Sequence, residues 1–251
     1  MTGRGRDGAP STPGATPEAT RGATPEATRD ATPSATPGAT PGAPAGRRRI
    51  RRGLVRAYIG LGANVGDAPG TLGAAVRALA ALPGASLAGV SQLYVTRPVG
   101  GVDQADFHNA VVALDVPAGP DDETGALALL VALKGLERAF GRRARERWGP
   151  RELDLDLLLF GDARLSVRRP PEGVSLDPGH RDRLLVVPHP EAADRLFVLA
   201  PLADLDADLV PPGWDETVST ARDRRLAAEG AAAVRAVGRW TGAGWAPRRR
   251  L

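Results

Sequence analysis

The chain of 251 residues has no cysteine, one lysine (Lys134) and one methionine (Met1). Without thiols it forms neither disulfides nor thiolate metal sites, and a reducing compartment suits it. No stretch approaches the roughly eighteen consecutive apolar residues that cross a bilayer. The N-terminus is rich in Thr, Pro, Ala and Gly and lacks the apolar segment of a secretion signal. These absences predict a cytoplasmic protein with no membrane partner. With a single lysine, basic chemistry falls almost wholly to arginine, an excess that GC-biased coding is enough to produce. Met1 being the only methionine, any later start near the domain edge would use a non-Met codon.

What is present is unevenly placed. Residues 1–56 hold ten arginines and four acids, so of the formal net charge of +4 they carry +6 and leave −2 to the remaining 195 residues. A nucleic-acid partner inferred from the high pI would rest on this tail and not on the folded part. Residues 1–46 are low in complexity, with Ala-Thr-Pro at five places up to residue 41. Frequent proline and the lack of bulky apolar groups predict disorder. The run Arg47–Arg52 reads as a solvated flank. The expected organisation is a tail over 1–54, one domain over 55–220, and a peripheral helix with a C-terminal tail over 221–251.

Within the domain, Val55–Gly60 reads as a strand. The glycines Gly60, Gly62 and Gly66 lack the spacing of a dinucleotide-binding turn and read as a tight strand-to-helix connection. Apolar periodicity predicts a helix over 70–82, stopped by Pro83-Gly84. Strands follow over Leu87–Tyr94 and Phe107–Val116, separated by a loop with proline and two glycines. A helix over Glu123–Phe140 ends at Gly141, and Leu153–Phe160 alternates as a strand. The order is β-α-β-β-α-β, the ferredoxin-like arrangement of the α/β (α+β) class: one antiparallel sheet with two helices on one face. The stretch to Arg183 reads as an inserted polar loop. A short strand at Leu184–Val187 and a helix over Val198–Leu205 add to the C-terminal side.

The chemistry gathers around the last core strand. Side chains alternate along a strand, so Leu153, Leu155, Leu157 and Leu159 share one face and Asp154 and Asp156 stand together on the other. Two adjacent carboxylates repel unless a cation lies between them, and Mg²⁺ takes one or two carboxylates while keeping positions for water and phosphate. Arginines at 142, 143, 145, 147 and 151 lie just upstream. Acids that hold a metal beside a cluster of guanidinium groups are what phosphoryl transfer requires.

The run Arg147-Trp-Gly-Pro-Arg-x-x-Asp-Leu-Asp-Leu-Leu158 resembles the signature of the 6-hydroxymethyl-7,8-dihydropterin pyrophosphokinase family. Ala57–Asn64, Thr96-x-Pro-x-Gly through Phe107-x-Asn109, and Val187–Pro190 with Arg195-x-Phe197 match in the expected order over about Val55–Val218. The resemblance implies a ferredoxin-like fold and transfer of diphosphate from ATP to the pterin hydroxymethyl group, with release of AMP and two Mg²⁺ ions. It makes Asp154 and Asp156 the metal ligands, and Arg142 and Arg151 the catalytic arginines. It assigns Lys134, Glu137, Arg143, Arg145, Arg147, Trp148, His189 and Arg195 to ATP, the co-substrate. Phe107 and Phe197 would sandwich the pterin, with Asn109, Thr96, Pro98 and Val99 along its hydrogen-bonding edge. The arginine loop is one residue shorter than in well-known relatives, Phe107 stands where tyrosine is common, and Pro190 stands where an aromatic is frequent.

Two rival readings use the same residues. A two-metal phosphodiesterase or nuclease would use the aspartates with water as nucleophile, leaving Phe107, Asn109 and Phe197 without a purpose. An arginine-rich nucleic-acid-binding module would want a basic domain and exposed aromatics on the central strands. The preferred reading is a monomer acting on small molecules, with no nucleic-acid partner.

Overall fold

The computed structural model describes residues 53–98, 104–142, 149–170 and 182–248. Residues 1–52 of the tail predicted over 1–54, and the site candidates Val99, Arg143, Arg145, Arg147 and Trp148, lie outside the described residues, while Leu54 already belongs to the first strand.

β1 (Leu54–Ala63) pairs with β4 (Phe107–Pro117) along its whole length on one side and with β5 (Asp154–Phe160) on the other. β2 (Ser86–Val90) and β3 (Leu93–Thr96) both lie on the far edge of β4. Every pairing is antiparallel. β1 and the β2–β3 strand, joined through α1 (Ala68–Ala80), flank β4, and α2 (Asp122–Ala139) leads from β4 to the edge strand β5. This is the predicted βαββαβ order. The strand expected over Leu87–Tyr94 is divided: the Ser91 hydroxyl accepts from Val111 N–H at 2.9 Å and donates to the Gln92 carbonyl at 2.7 Å. A serine that bonds backbone in this way competes with the regular ladder.

Helix starts follow their caps. Asp67 accepts from Gly70 N–H at 3.0 Å and Asp121 from Thr124 N–H at 2.8 Å. α2 ends in a Schellman motif: Gly141, at φ 83°, donates to the Arg138 carbonyl, and Arg142 N–H donates to the Glu137 carbonyl, each at 3.0 Å. That motif sets the direction in which Arg142 leaves the helix.

Alternation along the strands sorts the core into two layers. Ala57, Ile59 and Leu61, with Val112, Leu114, Leu155 and Leu157, face α1 and α2. Tyr58, Val111, Ala113 and Leu158 face the opposite side, covered by α3 (Leu196–Leu205) and α4 (Val218–Glu229). Leu159, expected to share the face of Leu155 and Leu157, lies in this second layer. A register shift against Tyr58/Ile59 leaves Leu158 bulged and changes the phase of the strand.

Two further expectations are corrected and one is extended. Part of the polar stretch before Arg183 is strand: β6 (Leu165–Arg168) pairs with β7 (Arg183–Val187), with 171–181 outside the described residues. The predicted pair α1 and α2 shares one face, and α3 and α4, which the sequence left unplaced, cover the other. The C-terminal segment, expected as helix and coil, adds β8 (Val234–Trp240) beside β3 and β9 (Trp245–Pro247) beside β8, giving seven strands in the main sheet.

Candidate active site

The register lines up the site. On the face opposite α1 and α2, one cross-strand row reads Asp154, Gly62, Asn109 and Tyr94; neighbouring rows hold Asp156, Gly60 and Val111, then Phe107 and Thr96. α3 covers this face over Tyr58, Val111 and Ala113. Beyond its N-terminal end a cavity of about 250 Å³ opens. Thr96, Phe107, Asn109, Arg142, Arg151, Asp154, Asp156, His189, Arg195 and Phe197 all line it. Pro98, Lys134 and Glu137 do not.

Gly60 and Gly62 form part of its floor. They were read as a turn, but they sit inside β1, and the turn is made by Gly66 at φ 62°. An added Cβ on Gly62 would meet Asn109 Oδ1 at 3.4 Å and Asp154 Cβ at 3.9 Å. Missing side chains therefore leave the space between the amide and the carboxylate. Asn109 is 6% exposed, and its Nδ2 donates to Thr96 Oγ1 at 2.9 Å.

Asp154 carries a guanidinium on each oxygen: Arg142 at 2.7 Å and Arg151 at 2.5 Å. Asn64, buried at the end of β1, fixes Arg151 by two bonds, accepting from Arg151 N–H at 2.8 Å and donating its own N–H to the Arg151 carbonyl at 3.0 Å. Its Nδ2 also donates to Gln104 Oε1 at 3.0 Å and to the Ala105 carbonyl at 3.1 Å. One asparagine thus ties together the two chain segments that flank the cavity.

The two carboxyls respond in opposite senses. Burial, and after it the Asp156 charge, push Asp154 above the ordinary carboxylate range against the pull of Arg151, Arg142 and Lys134. Burial also raises Asp156, but His189, Lys134, Arg195 and Arg151 together hold it below that range. A cation between the two would favour ionisation of both. Among the described residues no three His, Cys, Asp or Glu side chains gather as a complete ligand cage. Two hard carboxylates facing an open cavity fit a Mg²⁺ whose remaining positions go to water and phosphate.

On the other wall, His189 Nδ1 lies 3.3 Å from Glu191 N–H, a contact that orients the ring. Arg195 pairs with Glu191, and its guanidinium carbon lies 5.5 Å from the centre of the Phe197 ring. Sequence reasoning missed Gly60, Gly62, Arg97, Gln104 and Glu191 as lining residues, and Asn64 as a tie. The paired glycines at alternate strand positions were a usable signal. Nothing local marks Gln104 or Glu191.

An α/β sheet whose open face carries paired carboxylates, guanidinium groups and two phenylalanines defines a pocket suited to a phosphorylated nucleotide beside a flat ring. A family model described as 7,8-dihydro-6-hydroxymethylpterin-pyrophosphokinase matches residues 58–207. The chain belongs to this family. It is 40% identical over 168 residues to the 2-amino-4-hydroxy-6-hydroxymethyldihydropteridine pyrophosphokinase of Methylorubrum extorquens, covering 67% of this chain and 92% of that one. The enzyme of the same name from Pseudomonas aeruginosa is 41% identical over 62% of this chain and 84% of its own. Among solved structures, a Plasmodium falciparum HPPK-DHPS shares the fold with a TM-score of 0.58 at 13% identity, over 77% of this chain and 48% of that one.

Proposed function

We infer that the chain is an ATP-dependent pyrophosphokinase of folate biosynthesis, moving diphosphate from ATP to the hydroxyl of 6-hydroxymethyl-7,8-dihydropterin and releasing AMP. The observation that carries the reading is the register that brings Asp154, Asp156, Asn109 and Phe107 to one cavity in a chain of this family. The two rival readings find no support among the relatives, and the phosphodiesterase reading leaves the phenylalanines unused.

In this reading Phe107 and Phe197 flank the pterin ring. Asn109, whose amide nitrogen is committed to Thr96, offers its carbonyl oxygen to the donor edge of the ring. Asp154 and Asp156 would hold the two Mg²⁺ ions, whose chemistry when bound would be charge neutralisation at the phosphate oxygens. The pterin oxygen forms a bond to the β-phosphorus, the bond from that phosphorus to the α,β-bridging oxygen breaks, and AMP leaves with that oxygen and its electron pair. The hydroxyl proton passes to solvent. With the aspartates assigned to metal and His189 to phosphate, positioning and electrostatics carry the step. Arg142 and Arg151, which neutralise Asp154 here, transfer to phosphate oxygens as the nucleotide arrives. His189 and Arg195 reach the phosphates from the opposite wall.

A coupled AMP assay tests this. AMP should form only when ATP, the pterin alcohol and Mg²⁺ are all present. Asp154→Ala or Asp156→Ala should cut turnover by about 10²–10³-fold or more with circular dichroism unchanged. Near-normal turnover in either variant would sink the assignment.

A further inference from the structure

Among the described residues β5 is the edge strand of the main sheet, paired there with β1 alone, so alternate peptide groups along its other side have no ladder partner among them. The peptide groups of Leu155, between the two aspartates, are taken up by side chains of α2. Leu155 N–H donates to Glu137 Oε1 at 2.8 Å, and the Leu155 carbonyl accepts from Lys134 Nζ at 3.0 Å. Lys134 and Glu137 lie one helical turn apart and are themselves bonded at 2.8 Å. Glu137 is 3% exposed, buried further than a ligand contact requires, and neither residue lines the cavity. Arg142 completes the arrangement by pairing with both Glu137 and Asp154.

We propose that Lys134 and Glu137 are positioning residues, a clamp on Leu155 that sets the separation and aim of the Asp154 and Asp156 carboxylates, and not contacts to ATP. The proposal rests on the metal-binding reading of the aspartate pair. Its physical basis is that ligands to a metal lose affinity when the groups that orient them are removed. Here the orienting bonds run to the backbone, which a strand edge would otherwise leave to water.

The test separates clamp from nucleotide contact. Hydrogen exchange at the Leu155 amide should rise at least about tenfold in Glu137→Ala, as a buried donor loses its acceptor. Mn²⁺ affinity, measured directly with a non-hydrolysable ATP analogue present, should weaken by about 10–100-fold in that variant, while the analogue's affinity in EDTA stays within about twofold. Glu137→Gln keeps an oxygen for Leu155 N–H and should restore protection. Lys134→Met removes the donor to the Leu155 carbonyl together with the bond to Glu137, and should weaken Mn²⁺ but not metal-free analogue binding; it decides the matter if Glu137→Ala does not fold. Unchanged exchange at Leu155, or equal loss of analogue affinity with and without metal, would overturn the clamp. A wild-type chain that binds no Mn²⁺ would instead sink the reading of the aspartates, a failure told apart by intact protection at Leu155.

Discussion

Gly62 lies in the row between Asp154 and Asn109, and its missing side chain is what keeps those two groups facing one open space. Gly62→Val tests that. Valine suits a strand better than glycine, so the melting temperature should hold or rise. Its branches would project into the floor of the cavity and occupy space the substrates need, so KM for both substrates should increase by about tenfold or more, a loss of about 1.4 kcal/mol of binding. A wild-type KM in Gly62→Val would show that the floor has room to spare. At this scale the aspartates were legible, because a strand's period of two puts both on one face whatever lies around them. Glu137 was not. An acid on a helix ordinarily reads as solvent-exposed, and its 3% exposure follows only from a β5 edge that needs an acceptor there.

The elements repeat this contrast. α2 could be read to within a residue at each end, because its cap at Asp121 and its glycine stop at Gly141 are local signals. The bulge at Leu158 could not, because it depends on where β1 sits. The C-terminal hairpin is harder still. Val234–Trp240 interleaves arginines and a glycine with its apolar residues, and its partner β3 lies about 140 residues earlier in the chain. What holds the hairpin is tertiary. Trp240 and Trp245 meet edge to face at 4.8 Å, Trp245 Nε1 donates to the Ser91 carbonyl at 3.1 Å, and Arg77 Nη1 donates to the Ala243 carbonyl at 2.5 Å. Trp245→Ala removes the first two of these and should cost about 2 kcal/mol, a melting shift of roughly 4–8 °C. Because β8 pairs Val234 with Thr96, the same variant should raise KM for the pterin more than for ATP. An unchanged melting temperature would show that the hairpin is an appendage and not a brace.

For the whole molecule, the sheet is a partition. One face is sealed by α1 and α2, and the other is sealed only as far as α3 reaches, so the cavity opens where the second layer stops. Tyr94 and Gln92 anchor the far end of α3 through Asp204, with the Tyr94 hydroxyl and the Gln92 N–H each donating at 3.0 Å, and Tyr58 donates to Asp206 at 3.0 Å. The βαββαβ order was legible because each element has its own periodicity and stops. The second helical layer was not, since nothing in the periodicity of 196–229 says which face of the sheet it covers. No helix among the described residues is long and apolar enough to cross a membrane. The family match begins at residue 58, and the first strand begins at Leu54 with the Gly53 carbonyl accepting from Ala118 N–H at 3.0 Å. Among the described residues, the backbone pairing that the site depends on therefore starts at Gly53. Residues 53–251 carry a net charge of −1 against +4 for the full chain, since nine arginines and four acids lie before Gly53. Removing residues 1–52 should leave kcat/KM within about twofold, because no group in the proposed machinery is lost. Retention on a heparin or cation-exchange column should fall to lower salt, because that binding belongs to the arginines removed. A large loss of activity in the shortened chain would assign residues 1–52 a part in the reaction that their composition does not suggest.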